Sequence, residues 1–72
     1  MELSNEETRE VLITLVEAID SLPPQHEKWR QNLFSLYAIA VLRHEVVYPL
    51  LYEVGALTTL GQAVFTKLKD LE

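Results

Sequence analysis

Seventy-two residues without a single cysteine exclude disulfide staples and thiolate metal sites. A chain this short buries only about 60% of its unfolded surface, so regular helix packing or association must stabilise it. The net charge of −5 is a poor footprint for nucleic acid, whose phosphates are met by Lys and Arg, while the high apolar fraction of 49% leaves surface that favours oligomers.

The charge excess sits on the first segment. Residues 1–20 hold six acids (Glu2, Glu6, Glu7, Glu10, Glu17, Asp20) against Arg9, net −5. Residues 21–48 sum to +1 and residues 49–72 to −1. Ser4-Asn5-Glu6-Glu7 reads as a capping box, with Ser4 accepting from the Glu7 backbone and the Glu7 carboxylate reaching back. At 100° per residue, Val11, Leu12, Leu15, Val16, Ile19 and Leu22 fall within about 140° of arc, and Glu10, Glu17 and Asp20 face away. The first helix is therefore expected over about 5–21, ending before Pro23-Pro24.

A second helix is expected over about 25–47. Its first turns are polar, and its second half is apolar nearly all round. A helix of roughly 23 residues runs about 35 Å and would form the spine of the fold. Pro49 is expected to stop it and to open a short helix over about 49–54, closed by Gly55 as a left-handed cap. Thr58 or Thr59 caps the last helix, about 59–71, with Thr59-x-x-Gln62 as a second capping box. Leu57, Leu60, Val64, Phe65, Leu68 and Leu71 share one face of it. Helical periodicity dominates throughout, no strand alternation is sustained, and no repeat or linker divides the chain. The expectation is a single all-α domain over 1–72: a small helical bundle of three main helices and one short one, with a long central second helix.

Arg43-His44-Glu45-Val46-Val47-Tyr48 opens like the His-Glu-x-x-His zinc signature but carries Tyr48 in place of the second histidine. His26, the other histidine, lies about 27 Å away along an unbroken helix, too far to share a metal within one chain. No metal and no cofactor is expected. The three serines (Ser4, Ser21, Ser35) lie outside any Gly-x-Ser-x-Gly elbow, and two glycines cannot build a phosphate loop. The protein is read as a non-enzyme with no small-molecule substrate. The longest apolar-rich run, Leu33 to Leu42, is half of the about 20 residues a membrane span requires, and the N-terminus lacks the basic-then-apolar order of a signal peptide. A cytoplasmic protein without a membrane partner is expected.

One stripe carries the functional expectation. On a continuous second helix, Trp29, Leu33, Tyr37, His44 and Tyr48 fall within about 100° of arc, with Arg30 at the edge. Trp, Tyr and Arg are the types enriched at interface hot spots, so Trp29, Arg30, Tyr37, His44 and Tyr48 are the candidate partner-binding residues. The alternative is that this face packs inside the molecule. The function read from these features is a small protein–protein interaction or assembly module, a homo-oligomer or a subunit of a larger complex. A rival reading is an acidic inhibitor or antitoxin-type regulator whose first helix faces a basic partner. Less favoured is a helix-turn-helix DNA-binding regulator.

Two stretches resemble known families. Residues 29–68, with WRQNLFSLYAIA, VVYPLLYEVGAL and TTLGQAVFTKL in succession, look like an armadillo-type repeat, which implies stacked helices. Leu57-Thr58-Thr59-Leu60-Gly61 is similar to the start of the last helix in some winged-helix regulators, although wing strands and a basic recognition helix are missing. No functional residue is carried over from either.

Overall fold

The computed structural model describes residues 3–53 and 55–71. Val54, expected to close the short helix, and the side chain of Leu71, expected on the last apolar face, lie outside the described residues. The described residues build four α-helices: α1 (Asn5–Asp20), α2 (Glu27–Leu42), α3 (His44–Leu51) and α4 (Thr59–Leu68), with a 3₁₀ turn at Lys69–Leu71. Two short strands, β1 (Tyr52–Glu53) and β2 (Ala56–Leu57), pair antiparallel between α3 and α4, with Tyr52 opposite Leu57 and Glu53 opposite Ala56.

The first helix forms as its sequence dictates. The Ser4 Oγ accepts from the Glu7 N–H (3.1 Å), and the Ser4 N–H donates to the Glu7 Oε1 (3.0 Å). Both bonds satisfy donors that the helix start would otherwise leave unpaired. Leu12, Val16 and Ile19 go into the core, with Leu15 packed against it. Thr8 is also fully buried, its hydroxyl donating to the Ser4 carbonyl at 2.9 Å; this internal bond lets a polar residue extend the apolar stripe.

The second helix departs from expectation. It starts at Glu27, with the His26 Nδ1 accepting from the Lys28 N–H at 3.1 Å, and it stops at Leu42, five residues early. The chain bends by 104° between α2 and α3. Arg43 takes a non-helical conformation (φ −114°, ψ 32°). Its N–H makes the last bond of α2, to Ile39, and the ladder restarts when the Val46 and Val47 N–H groups both donate to the Arg43 carbonyl (2.9 and 2.8 Å). Pro49 therefore does not stop the second helix and open another; it lies inside α3. A straight 25–47 helix would equal the longest dimension of the molecule, 35 Å. Bending instead folds Val47 and Leu51 back onto the residues that α1 and α2 already bury. The Arg43 guanidinium donates to the Leu3 carbonyl and fastens this corner to the start of the chain.

The short helix expected over 49–54 is likewise replaced. Its first residues belong to α3, and Tyr52 and Glu53 begin the hairpin. Gly55 does adopt positive φ (77°), as expected, but in the turn of the hairpin and not as a helix cap. The last helix is capped by Thr58 and not by Thr59: the Thr58 Oγ1 accepts from the Gly61 N–H at 2.9 Å. The same hydroxyl donates to the Leu50 carbonyl (2.9 Å), and the Thr58 N–H donates to the Leu51 carbonyl (2.8 Å). One threonine thus joins the end of α3 to the start of α4.

Leu12, Val16, Ile19, Leu33, Leu36, Val47, Leu51 and Val64 form the buried cluster, contributed by all four helices. Lys67 pairs with Asp20 and links the ends of α4 and α1.

Candidate interaction groove

The α2–α3 corner leaves an apolar groove of about 530 Å³ between α2, α3 and α4. Tyr37 and Val41 line it from α2, and His44 and Tyr48 from α3. Tyr52 from β1 and Phe65 from α4 complete the wall. Its aromatic rings form a chain. The centroids lie 5.7 Å apart for His44 and Tyr48, 4.7 Å for the stacked Tyr48 and Tyr52, and 5.8 Å for Tyr52 and Phe65. Offset and tilted pairs at these distances are favourable by about 0.5–1.5 kcal/mol each beyond their buried area.

The geometry has a simple origin. His44, Tyr48 and Tyr52 recur every four residues, so α3 and the residue that caps its end line them up along one edge. The Thr58 bonds and the hairpin then bring α4 back alongside, which delivers Phe65 to the end of the row. Close approach at this junction needs Gly61, because a Cβ there would overlap the Leu51 carbonyl.

The rings are far from covered. Tyr37 is 50% and Tyr48 52% exposed, and the outer face of α2 adds Phe34 at 51%, Val41 at 55% and Leu42 at 81%. Phe34, Ala38, Val41 and Leu42 follow the spacing of one helix face, and all four are exposed. Leu33 and Leu36 occupy the opposite, buried face. In its second half α2 is therefore apolar on both sides, and only one side is covered.

Of the five residues singled out in the sequence, the structure brings Tyr37, His44 and Tyr48 together around the groove. Trp29 does not join them: it is partly buried and packs against the core. Arg30 is exposed near the start of α2, beside Phe34 and clear of the groove. The straight stripe that linked all five depended on an unbroken helix, and Leu33 in its middle is almost completely buried. Val41, Tyr52 and Phe65 were missed. Val41 could have been found from its i+4 spacing to Tyr37 and Tyr52 from its i+4 spacing to Tyr48; Phe65 comes from α4, which only tertiary packing brings alongside.

The remaining candidates stay apart. His26 caps α2 and His44 lines the groove, each exposed. No group of three or more potential metal ligands converges among the described residues. No single helix among them is long and apolar enough to cross a membrane. On α1, Glu6, Glu10 and Glu17 are exposed, whereas Asp20 is engaged by Lys67. No protein-family model, curated protein or solved structure matches the chain, so the groove and the uncovered face of α2 carry the functional argument.

Proposed function

We propose that this protein is a non-enzymatic helical interaction module, which self-associates or takes a place in a larger assembly through the groove and the adjoining face of α2. The observation that carries this reading is the continuous set of half-exposed Phe34, Tyr37, Val41 and Tyr48 on a chain of 72 residues. Tyrosine suits such a role because its ring supplies apolar area while its hydroxyl tolerates water when the surface is uncovered. His44, with an apolar body and a polar edge, ends the aromatic row beside Tyr48.

Mass in solution, measured by light scattering across a concentration series, tests the reading. The wild type is expected to exceed the single-chain 8.3 kDa, and Tyr37→Ala with Tyr48→Ala is expected to lower the mass. A single-chain mass at high micromolar concentration removes self-association.

The acidic-regulator reading retains one supporting observation, the exposed Glu6, Glu10 and Glu17 on α1. Ionic strength separates the two. Binding through α1 weakens steeply as salt shortens the screening length to about 10 Å at 0.1 M, whereas an apolar interface persists.

A further inference from the structure

We infer that the occupant of the uncovered α2 face is a second copy of this chain, packed so that the two α2 helices run antiparallel with Ala38 on the two-fold axis. This rests on the interaction-module reading and gives it a geometry.

The layout of α2 sets the pairing. Its solvent face is polar at the start (Glu27, Arg30, Gln31) and apolar from Phe34 to Leu42. Ala38 lies at the middle of the apolar half. Phe34 stands four residues before it and Leu42 four residues after, each on the same face. In an antiparallel two-fold pair, residues whose numbers sum to a constant lie opposite each other, and each contact occurs twice. With Ala38 on the axis that sum is 76. Phe34 then meets Leu42 of the second copy, and the small Ala38 faces itself where the helices must approach most closely. The apolar halves overlap completely, and the polar halves project beyond the contact. A parallel pair would also match the apolar halves, but it would set Glu27, Lys28 and Arg30 each against its own twin. Like charges so placed are unfavourable.

The available area fits a second copy. An aromatic side chain carries about 200 Å². Phe34, Tyr37, Val41 and Leu42, each half-exposed or more, therefore present on the order of 400 Å² on α2 itself, and the adjoining groove residues Tyr48 and Phe65 bring the continuous apolar surface to on the order of 600 Å², against the roughly 800 Å² per partner of a stable interface.

The absence of cysteine makes the test clean. Facing Cα atoms of two helices with axes about 8–10 Å apart lie roughly 3.5–5.5 Å from each other, which overlaps the disulfide range of about 4.4–6.8 Å. Ala38→Cys is expected to cross-link to itself under mild oxidation. Phe34→Cys alone is expected not to, because its twin sits about 12 Å along the axis. An equimolar mixture of Phe34→Cys and Leu42→Cys is expected to form the mixed disulfide. As a check independent of oxidation, Ala38→Glu should halve the mass in solution while far-ultraviolet circular dichroism stays helical, since the site is exposed. A dimeric wild type whose Ala38→Cys variant does not cross-link, or whose Phe34→Cys variant cross-links to itself, overturns this geometry and leaves self-association standing. A dimer that survives Ala38→Glu likewise overturns it. A monomeric wild type overturns the second copy as occupant and self-association together.

Discussion

At the scale of single residues, Gly61 and Thr58 govern the α3–α4 junction. Gly→Ala in a helix is ordinarily favourable by about 1 kcal/mol. At Gly61 the sign should reverse, because the added methyl meets the Leu51 backbone, which cannot move without shifting the end of α3. Gly61→Ala is expected to destabilise by about 1–3 kcal/mol, the usual cost of overpacking, in denaturant unfolding; a gain would show that the approach is looser. Thr58→Ala should cost about 1–2 kcal/mol as a lost cap, while the exposed Thr59→Ala should change little. The contrast identifies which threonine starts α4. Glu7 gives a prediction in pH. The Ser4 N–H, and then the Ser4 hydroxyl, hold its carboxyl below the usual range. Its capping contribution is thus fully present above the unfolded-state pKa and is lost as pH falls through the lower folded-state value. The wild type should lose thermal stability on acidification through that window more steeply than Glu7→Gln. Parallel curves would rule the capping bond out as a source.

At the scale of elements, some boundaries were legible in the sequence because their causes are local. Ser4 and Glu7 announce α1, Pro23-Pro24 lies just beyond its end, and the apolar spacing from Leu12 to Ile19 fixes its buried face. The α2–α3 bend was not legible, because Arg43 is neither glycine nor proline. The bend is set by where Val47 and Leu51 find cover, which periodicity does not encode: 36 and 47 share a face of a straight helix as readily as they meet across a corner. The hairpin was hidden for another reason. Its strands are two residues each, too short to show alternation, so the sequence predicts the positive φ of Gly55 but assigns it to a helix cap instead of a hairpin turn. The same limits apply to the groove. Trp29, Arg30 and Tyr37 share the unbroken α2, but Trp29 turns inward onto the core; joining His44 and Tyr48 to Tyr37 assumes a straight helix, although the bend still brings the three together, and Phe65 required knowing how α4 returns. Gly55→Ala isolates the hairpin's local requirement. Nothing lies within 4 Å of the added carbon, so the cost is that of positive φ alone, about 1–2 kcal/mol, read as a lowered denaturation midpoint without a change in slope.

At the scale of the whole molecule, folding stability and assembly are predicted to separate by face of α2. A chain of 72 residues is stable by roughly 4–11 kcal/mol at the usual 0.05–0.15 kcal/mol per residue. Leu36 is fully buried, and truncating it to Ala removes about 2–5 kcal/mol, a large share of that total. Leu36→Ala should therefore lower the unfolding temperature at every protein concentration. Leu42 lies on the same helix but is 81% exposed. In the single chain it contributes little, and its apolar surface is covered only by association. If two chains unfold together, mass action stabilises the pair by RT ln of concentration. A hundredfold increase then amounts to about 1.4 kcal/mol per chain, or roughly 5–10 °C for a domain of this size. Calorimetry over that range should show the rise in the wild type. Leu42→Gln should abolish the rise while leaving the low-concentration value nearly unchanged. A wild-type unfolding temperature independent of concentration would mean that the apolar half of α2 is not covered by a second copy, whatever else it binds.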